Sequence, residues 1–131
     1  MIPRPVLEFV ARINAHDADG LAALMAPDHA MIDSLGNRFT RPAIESGWAA
    51  YFRMVPDYRV EIERALVEGD TVALFGSAGG TYVPGGGGPE AANAWKAPAA
   101  WLATLRGGQV LEWRIYCDNE PIRQRMRAAA G

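Results

Sequence analysis

The spacing of hydrophobic residues changes character about halfway along the chain. In the first half they recur every three or four positions, the period of an α-helix with one buried face. This spacing predicts an amphipathic helix over residues 3–16. A shorter helix should follow, capped by Asp17 and ended by Pro27. Its apolar side consists of Leu21, Leu24 and Met25.

A third helix should begin after Thr40 as N-cap and end at Pro56, with Pro42 in its first turn, where a missing N–H costs little. Its apolar stripe is broad and largely aromatic. The stripe consists of Ile44, Trp48, Tyr51, Phe52 and Val55. Such side chains usually form a core, but where a core contains a pocket they also form its wall.

From residue 58 onward, apolar and polar residues alternate, as is typical of strands with one solvated face. Strands are predicted over residues 58–63, 71–82, 95–105 and 110–117. Glycines inside the second of these should mark a bulge or a sharp bend. A glycine-rich loop over residues 84–89 and a closing helix over residues 119–129 complete the prediction.

Helices that precede a run of strands indicate an α+β fold, with the helices on one face of a curved antiparallel sheet. A length of 131 residues suits one domain with one core, so a single domain spanning residues 1–131 is predicted.

Composition narrows the class of protein. A net charge of −2 gives no reason to expect nucleic acid or an anionic membrane as a partner. The single cysteine, Cys117, cannot form an intrachain disulfide and fits a reducing compartment. We expect a cytoplasmic location, because there is no signal-peptide pattern and no apolar run near the roughly 20 residues of a membrane span. Neither metal-ligand spacing nor a phosphate-binding loop occurs, so no metal or cofactor is expected.

The candidate chemistry lies in residues 28–36. If this segment is extended, His29, Met31 and Asp33 face the same way, just before a turn at residues 35–37. Desolvation by apolar neighbours would raise the pKa of Asp33 toward the range of a general base. The alternative is an aspartate that caps the turn by accepting from backbone N–H groups.

Two further candidates each have a structural alternative. His29 could hydrogen-bond Asp33 or a developing oxyanion, but residues i and i+4 of a strand lie about 13 Å apart, so it could equally be a satisfied structural histidine. Asp118 follows the last strand, where an aspartate is either an acid/base group or the N-cap of the next helix. His16 belongs to the turn after the first helix and is interpreted as structural.

Three segments together resemble the nuclear transport factor 2-like superfamily, in its SnoaL-like and ketosteroid isomerase-like branch. They are FVARINAHDADGLAAL at residues 9–24, IDSLG at residues 32–36 and VLEWRIYCDN at residues 110–119. The resemblance covers essentially the whole chain. It implies a cystatin-like α+β barrel, in which a cone-shaped antiparallel or mixed sheet wraps three N-terminal helices and leaves a deep apolar pocket.

The resemblance also implies roles for individual residues. Asp33 matches the general base of ketosteroid isomerases, but Phe9 and Ala100 stand where those enzymes have the two donors of their oxyanion hole, so that mechanism does not transfer whole. Asp118 is similar in place to the acid/base aspartate of SnoaL-like cyclases, whose partner histidine has no counterpart here. The candidate catalytic residues are therefore Asp33, His29 and Asp118. The residues expected to bind substrate are Phe9, Trp48, Tyr51, Phe52, Ala100, Trp113, Ile115 and Tyr116.

The orientation of residues 95–105 is open. If Ala100 faces the pocket, as the matched isomerase position does, Trp101 lies on the convex sheet face, where the superfamily commonly dimerises. Pro98 could shift the register through a bulge and reverse this assignment. A homodimer through the convex face is expected, with a small hydrophobic ligand in the pocket.

Two functions remain open from the sequence. One is a cofactor-free enzyme, an isomerase, cyclase, dehydratase or hydrolase, in which Asp33 moves a proton on a small hydrophobic substrate. The other is a non-catalytic small-molecule binding or accessory protein, which the missing oxyanion donors favour. The pKa of Asp33 separates them, because a value near 4 favours binding and one well above 5 favours a poised base.

Overall fold

The periodicity of the chain produces four α-helices and six strands in the structure, a computed structural model that describes residues 1–85 and 90–130. The helices are α1 (Arg4–Asn14), α2 (Ala18–Leu24), α3 (Arg41–Met54) and α4 (Glu120–Ala130). The strands are β1 (Met25–Ile32), β2 (Arg38–Thr40), β3 (Arg59–Glu68), β4 (Thr71–Thr81), β5 (Ala94–Arg106) and β6 (Gln109–Cys117). The predicted loop over residues 84–89 lies mostly outside the described residues.

The strands form one sheet in the order β2-β1-β6-β5-β4-β3. Neighbours pair antiparallel except β1 and β6, which run parallel, so the sheet is mixed. The α+β prediction is confirmed. The implied barrel is not closed, because the edge strands β2 and β3 do not pair with each other within the described residues.

The second helix and β1 meet at a different place from the one predicted. Met25 begins β1 rather than ending α2, and Pro27 lies within the strand instead of stopping the helix. The β1–β6 register shifts between Met25 and Ala30, and a proline without an N–H is tolerated in such an irregular stretch. Thr40 is the N-cap of α3, but its side chain makes no capping hydrogen bond.

Strand β5 turns its large side chains inward, which corrects the expectation for Trp101. Trp101 is only 2% exposed and packs on the inner face, whereas Ala100 lies on the outer face. The bulge that Pro98 could have introduced is absent, since the pairing of β5 with β4 is continuous there. Pro98 lies just beyond the last pair between β5 and β6, Ala99 with Cys117, so its missing N–H breaks no bond on that side.

The predicted bend in β4 is present. The β3–β4 register shifts between Ile62 and Arg64, and Gly76 lies at this point. A Cβ on Gly76 would come within 1.8 Å of the Glu61 carbonyl oxygen, so only glycine permits the approach. The bulge bends the sheet around the helices.

The helices cover the inner face of the sheet with the apolar stripes that their periodicity predicted. Val6, Phe9 and Ile13 of α1 are fully buried, and Ile44 and Trp48 of α3 belong to the same core cluster. No helix in the described part of the chain is both long and apolar enough to cross a membrane.

Candidate functional site

A cavity of about 300 Å³ opens between α3 and the inner face of the sheet. This volume is at the lower end of the roughly 300–1,000 Å³ typical of ligand pockets, so it suits a small molecule. The aliphatic and small side chains that line it include Met31, Ala43, Ile44, Gly47, Ala78 and Ile115.

Aromatic rings make up most of the remaining lining, and we call them the aromatic wall. Its members are Phe39, Trp48, Tyr51, Tyr58, Trp95 and Trp101. Tyr51 and Tyr58 meet edge to face with ring centroids 5.0 Å apart, and Tyr58 lies 6.2 Å from Trp95. Such contacts hold the rings in fixed orientations around the cavity.

Two indoles of the aromatic wall, those of Trp48 and Trp95, present carbon to the cavity. The Nε1 atoms of Trp48 and Trp95 are buried, and neither has a hydrogen-bond partner among the described residues. Because these nitrogens have almost no accessible surface, a ligand meets the carbon framework of both rings rather than their N–H groups.

The polar groups of the cavity follow the carboxyl ends of β1 and β6. Asp33 and Ser34 come directly after β1, and Cys117 and Asn119 end or follow β6. These strands are parallel neighbours, so their carboxyl ends meet at one edge of the sheet. The backbone N–H of Cys117 donates to Ser34 Oγ at 3.2 Å, which joins the two strand ends.

Asp33 both lines the cavity and caps the turn that follows it. Its Oδ1 accepts from the backbone N–H groups of Leu35 at 3.0 Å and Asn37 at 2.9 Å, and its Oδ2 accepts from Asn37 Nδ2 at 3.1 Å. Burial would raise the pKa of Asp33, but the donors of Asn37 and Leu35 together outweigh it and hold the pKa below its ordinary value. The expected rise toward neutrality is therefore wrong, and Asp33 is ionised at neutral pH.

The other titratable groups of the lining stay neutral. Burial raises the pKa of Tyr51 and of Tyr58, and it also raises the pKa of the Cys117 thiol. Asp33 is thus the one charged side chain among the described residues that line the cavity. Cys117 is not activated as a nucleophile.

His29 lies beneath the cavity rather than in its wall. It is 1% exposed, its ring is 6.0 Å from that of Phe9, and its Nδ1 is 2.7 Å from the carbonyl oxygen of Val110. A carbonyl only accepts, so Nδ1 carries the proton and Nε2, which has no partner among the described residues, does not. Burial lowers the pKa of His29 more than the bond to Val110 raises it. No hydrogen bond joins His29 to Asp33, so the structural alternative holds.

Asp118 lies outside the cavity lining. Its side chain is exposed, and Oδ1 accepts from the backbone N–H of Glu120 at 2.9 Å at the start of α4. The helix-cap alternative is the one that the structure shows. His16, by contrast, was expected to be structural and binds the Tyr58 carbonyl through Nε2 at 2.8 Å.

Three of the eight expected substrate-binding residues line the cavity, namely Trp48, Tyr51 and Ile115. Phe9, Phe52 and Trp113 are instead buried in the core, where Phe9 and Trp113 lie 4.7 Å apart. The remaining two, Ala100 and Tyr116, pair across β5 and β6 on the outer face. These five assignments are corrected. Ala100 and Tyr116 have the strand parity of the outer face, and the other three side chains lie in the core below the cavity.

The sequence reasoning missed four members of the aromatic wall, Phe39, Tyr58, Trp95 and Trp101. Trp95 and Trp101 are six positions apart in one strand and therefore share a face, so alternation along the strand groups them. The match of Ala100 to the isomerase position favoured the opposite face as the pocket wall. Phe39 lies in the three-residue strand β2, which is too short for alternation to assign a face, and Tyr58 shares the alternation of Val60 and Ile62 but was not predicted to line a pocket.

No group of three His, Cys, Asp or Glu side chains that could hold a metal ion occurs in the described ranges.

The curved mixed sheet over α1 and α3, with a pocket on its inner face, is the fold of the ketosteroid isomerase-like proteins. The chain belongs to the family of SnoaL-like domains, whose sequence model matches residues 6–113. The family predicted from the sequence is confirmed. None of the curated proteins matches the chain in sequence.

Solved structures share the fold over most of their length. A protein of ketosteroid isomerase-like fold from Catenulispora acidiphila, in complex with trimethylamine, is 24% identical, with a TM-score of 0.78, and the match covers 95% of this chain and 93% of that one. A protein from Jannaschia named as a SnoaL-like polyketide cyclase is 25% identical, with a TM-score of 0.79 and coverage of 95% and 90%. One of the same name from Shewanella denitrificans is 13% identical, with a TM-score of 0.79 and coverage of 95% and 96%.

The environment of His29 predicts a pH-dependent stability. Since its pKa in the folded chain is lowered, the unfolded chain takes up the proton first as the pH falls below about 6.5, and the free energy of unfolding declines. His29→Asn keeps a donor for the Val110 carbonyl and cannot titrate, so its decline should be smaller. Urea denaturation at about pH 7.5 and about pH 5.5 measures both declines.

The matched control is His16→Asn, which replaces the other histidine and leaves His29 in place, so the part of the decline in the free energy of unfolding that is due to His29 should remain. Equal declines for His29→Asn and the wild type would contradict the assignment.

Proposed function

We propose that this protein binds a small, largely apolar ring compound in the cavity between α3 and the sheet. The observation that carries the proposal is the aromatic wall around a volume of about 300 Å³. Rings that hold one another edge to face form a preorganised surface for a flat or compact apolar ligand. Asp33, Ser34 and Asn119 at one end of the cavity supply the few polar contacts that orient it.

The hydrogen bonds of Asp33 favour binding over proton transfer. Three N–H groups occupy its carboxylate, and its lowered pKa makes it a weak base. A rigid, ionised carboxylate suits a permanent contact with a ligand. Among proteins of this fold, the one from Catenulispora acidiphila was solved in complex with trimethylamine, which supports a ligand-binding role for such a cavity.

Filling the cavity should weaken binding without harming the fold. Gly47 of α3 lines the cavity, and a Cβ built there meets nothing within 4 Å, so the side chain of Gly47→Phe can enter the open space. We expect tert-butylbenzene, a neutral ring probe, to change the tryptophan fluorescence of the wild type and to bind Gly47→Phe at least about tenfold more weakly, a difference of about 1.4 kcal/mol.

Ala50→Phe is the matched control, because Ala50 is exposed on the same helix and does not line the cavity. It should bind the probe as the wild type does. Binding that survives in Gly47→Phe would place the ligand elsewhere.

A second candidate function is a cofactor-free acid–base reaction on a ligand of the same class. The presence of a carboxylate in an otherwise uncharged cavity wall favours it, and solved members of the fold are named as polyketide cyclases. Asp33 would accept a proton, with the hydroxyls of Tyr51 and Tyr58 as neutral donors to the developing oxyanion. His29 and Asp118 have no part in this version, since neither lines the cavity.

The lowered pKa of Asp33 sets the pH dependence of such a reaction. The base must be ionised, and Asp33 loses its charge only below its ordinary pKa of 3.8, so kcat/KM should not fall between about pH 8 and about pH 5. Asp33→Asn should abolish turnover of a cyclisable or enolisable carbonyl substrate and leave the tert-butylbenzene affinity within about twofold. Full activity in Asp33→Asn would exclude this chemistry.

We further propose that the protein forms a homodimer through the outer face of the sheet. An apolar patch crosses this face over the four neighbouring strands β3, β4, β5 and β6. We call it the outer patch, and its members are Leu66, Phe75, Ala100, Leu102 and Tyr116. Phe75 is 41% exposed and Tyr116 is 49% exposed, although both are large. Contiguous exposed apolar side chains on a sheet face suit a symmetric sheet-to-sheet contact.

Placing a charge in the outer patch should dissociate this dimer. Tyr116→Arg puts like charges near the two-fold axis and should give a monomer in sedimentation velocity at micromolar concentration, where the wild type sediments as a dimer. Leu35→Arg, at an exposed apolar position in the turn after β1, should remain dimeric. A wild-type protein that sediments as a monomer would refute the proposal.

A further inference from the structure

We infer that the compound bound in this cavity carries a positive charge, as an alkylated ammonium group attached to or enclosed by apolar substituents. The inference rests on the ligand-binding function proposed above and adds the charge of the ligand. The juxtaposition that carries it is an aromatic wall beside one unpaired carboxylate.

The rings of the aromatic wall offer a favourable surface to a cation. The face of an indole, phenol or phenyl ring carries partial negative charge, and a cation within about 6 Å of its centroid gains roughly 0.5–2 kcal/mol. Trp48 and Trp95 present carbon rather than N–H to the cavity, so the polarity of their N–H groups does not oppose this attraction. Tyr51 and Tyr58 keep their protons, and their rings remain neutral phenols.

Asp33 supplies the negative charge that such a ligand needs. Its carboxylate is ionised at neutral pH, yet it forms no ion pair with a cationic side chain among the described residues. Its hydrogen bonds come from neutral donors, the backbone of Leu35 and Asn37 and the Asn37 amide. They stabilise the charge without neutralising it, so an electrostatic attraction for a ligand cation remains.

The cationic side chain that acts on the charge of Asp33 does not line the cavity. Arg123 on α4 is exposed and contributes a smaller attraction that also lowers the pKa of Asp33, but it does not line the cavity. Within the described lining no side chain is positively charged. An ammonium ligand would therefore contact the Asp33 carboxylate and the aromatic rings without a positively charged side chain in the lining.

A neutral carbonyl compound fits the same cavity less completely. The hydroxyls of Tyr51 and Tyr58 could donate to its oxygen, but the carboxylate of Asp33 would repel that oxygen and would gain no partner. A cation is attracted both by the rings and by the carboxylate, whereas a carbonyl oxygen is opposed by the charge of Asp33.

The test compares two molecules of one shape that differ in charge, phenyltrimethylammonium and tert-butylbenzene. Their affinities are measured by tryptophan fluorescence titration with the wild-type protein and three variants. We expect the wild type to bind the ammonium about tenfold more tightly than the hydrocarbon. Asp33→Asn keeps an oxygen that can accept from the turn, and it should lose about tenfold in ammonium affinity while hydrocarbon affinity stays within about twofold.

Two further variants make the result specific. Asp28→Asn changes the net charge equally at an exposed position on β1 outside the lining, and it should change neither affinity. Arg123→Gln removes the nearby cation and should strengthen ammonium binding by up to about threefold, whereas a site for an anionic ligand would be weakened.

The outcomes separate the inferred charge of the ligand from the proposed ligand-binding function. If the hydrocarbon binds at least as tightly as the ammonium, or if Asp33→Asn weakens both equally, the inferred charge is wrong and the proposed ligand-binding function stands. If neither molecule binds, both proposals are wrong. Hydrocarbon binding also shows that each variant is folded.

Discussion

The parallel pairing of β1 with β6 is the constraint on which the rest of the structure depends. It joins segments about eighty residues apart, and the buried bond between His29 Nδ1 and the Val110 carbonyl reinforces it at 2.7 Å. Parallel neighbours place their carboxyl ends at the same edge of the sheet. The residues that follow each strand, Asp33 and Ser34 after β1 and Asn119 after β6, therefore meet at one cavity.

The turn after β1 gives Asp33 a double role. The donors that the turn directs at its carboxylate satisfy the backbone of residues 35–37 and stabilise the ionised form of the acid. Local structure and electrostatics are coupled here, because a carboxylate that caps its own turn cannot also be a strong base. What the arrangement favours is a fixed negative charge beside an aromatic wall, and both the proposed binding function and the inferred charge of the ligand are argued from it.

The two positions that the sequence resemblance matches to the isomerase oxyanion hole do not line the cavity. Phe9 packs in the core against Trp113, and Ala100 belongs to the outer patch. Two tyrosines that keep their protons, Tyr51 on α3 and Tyr58 before β3, line the cavity instead. One fold thus lines its cavity with a different set of groups while the sheet and helices keep their places, as is common among folds that host many functions.

The sequence by itself determined most of the secondary elements, the α+β class and the family, because helical and strand periods, turn glycines and N-cap residues are local signals. It also identified Asp33, Trp48, Tyr51 and Ile115 as cavity residues. Tertiary structure alone decided that Trp101 faces inward and Ala100 outward, since a strand's parity relative to a core depends on its register with its neighbours. It likewise decided the direction in which the pKa of Asp33 shifts. Desolvation raises the pKa of a carboxyl group and N–H donors lower it, and the donors of Asp33 are in place only once the turn has formed.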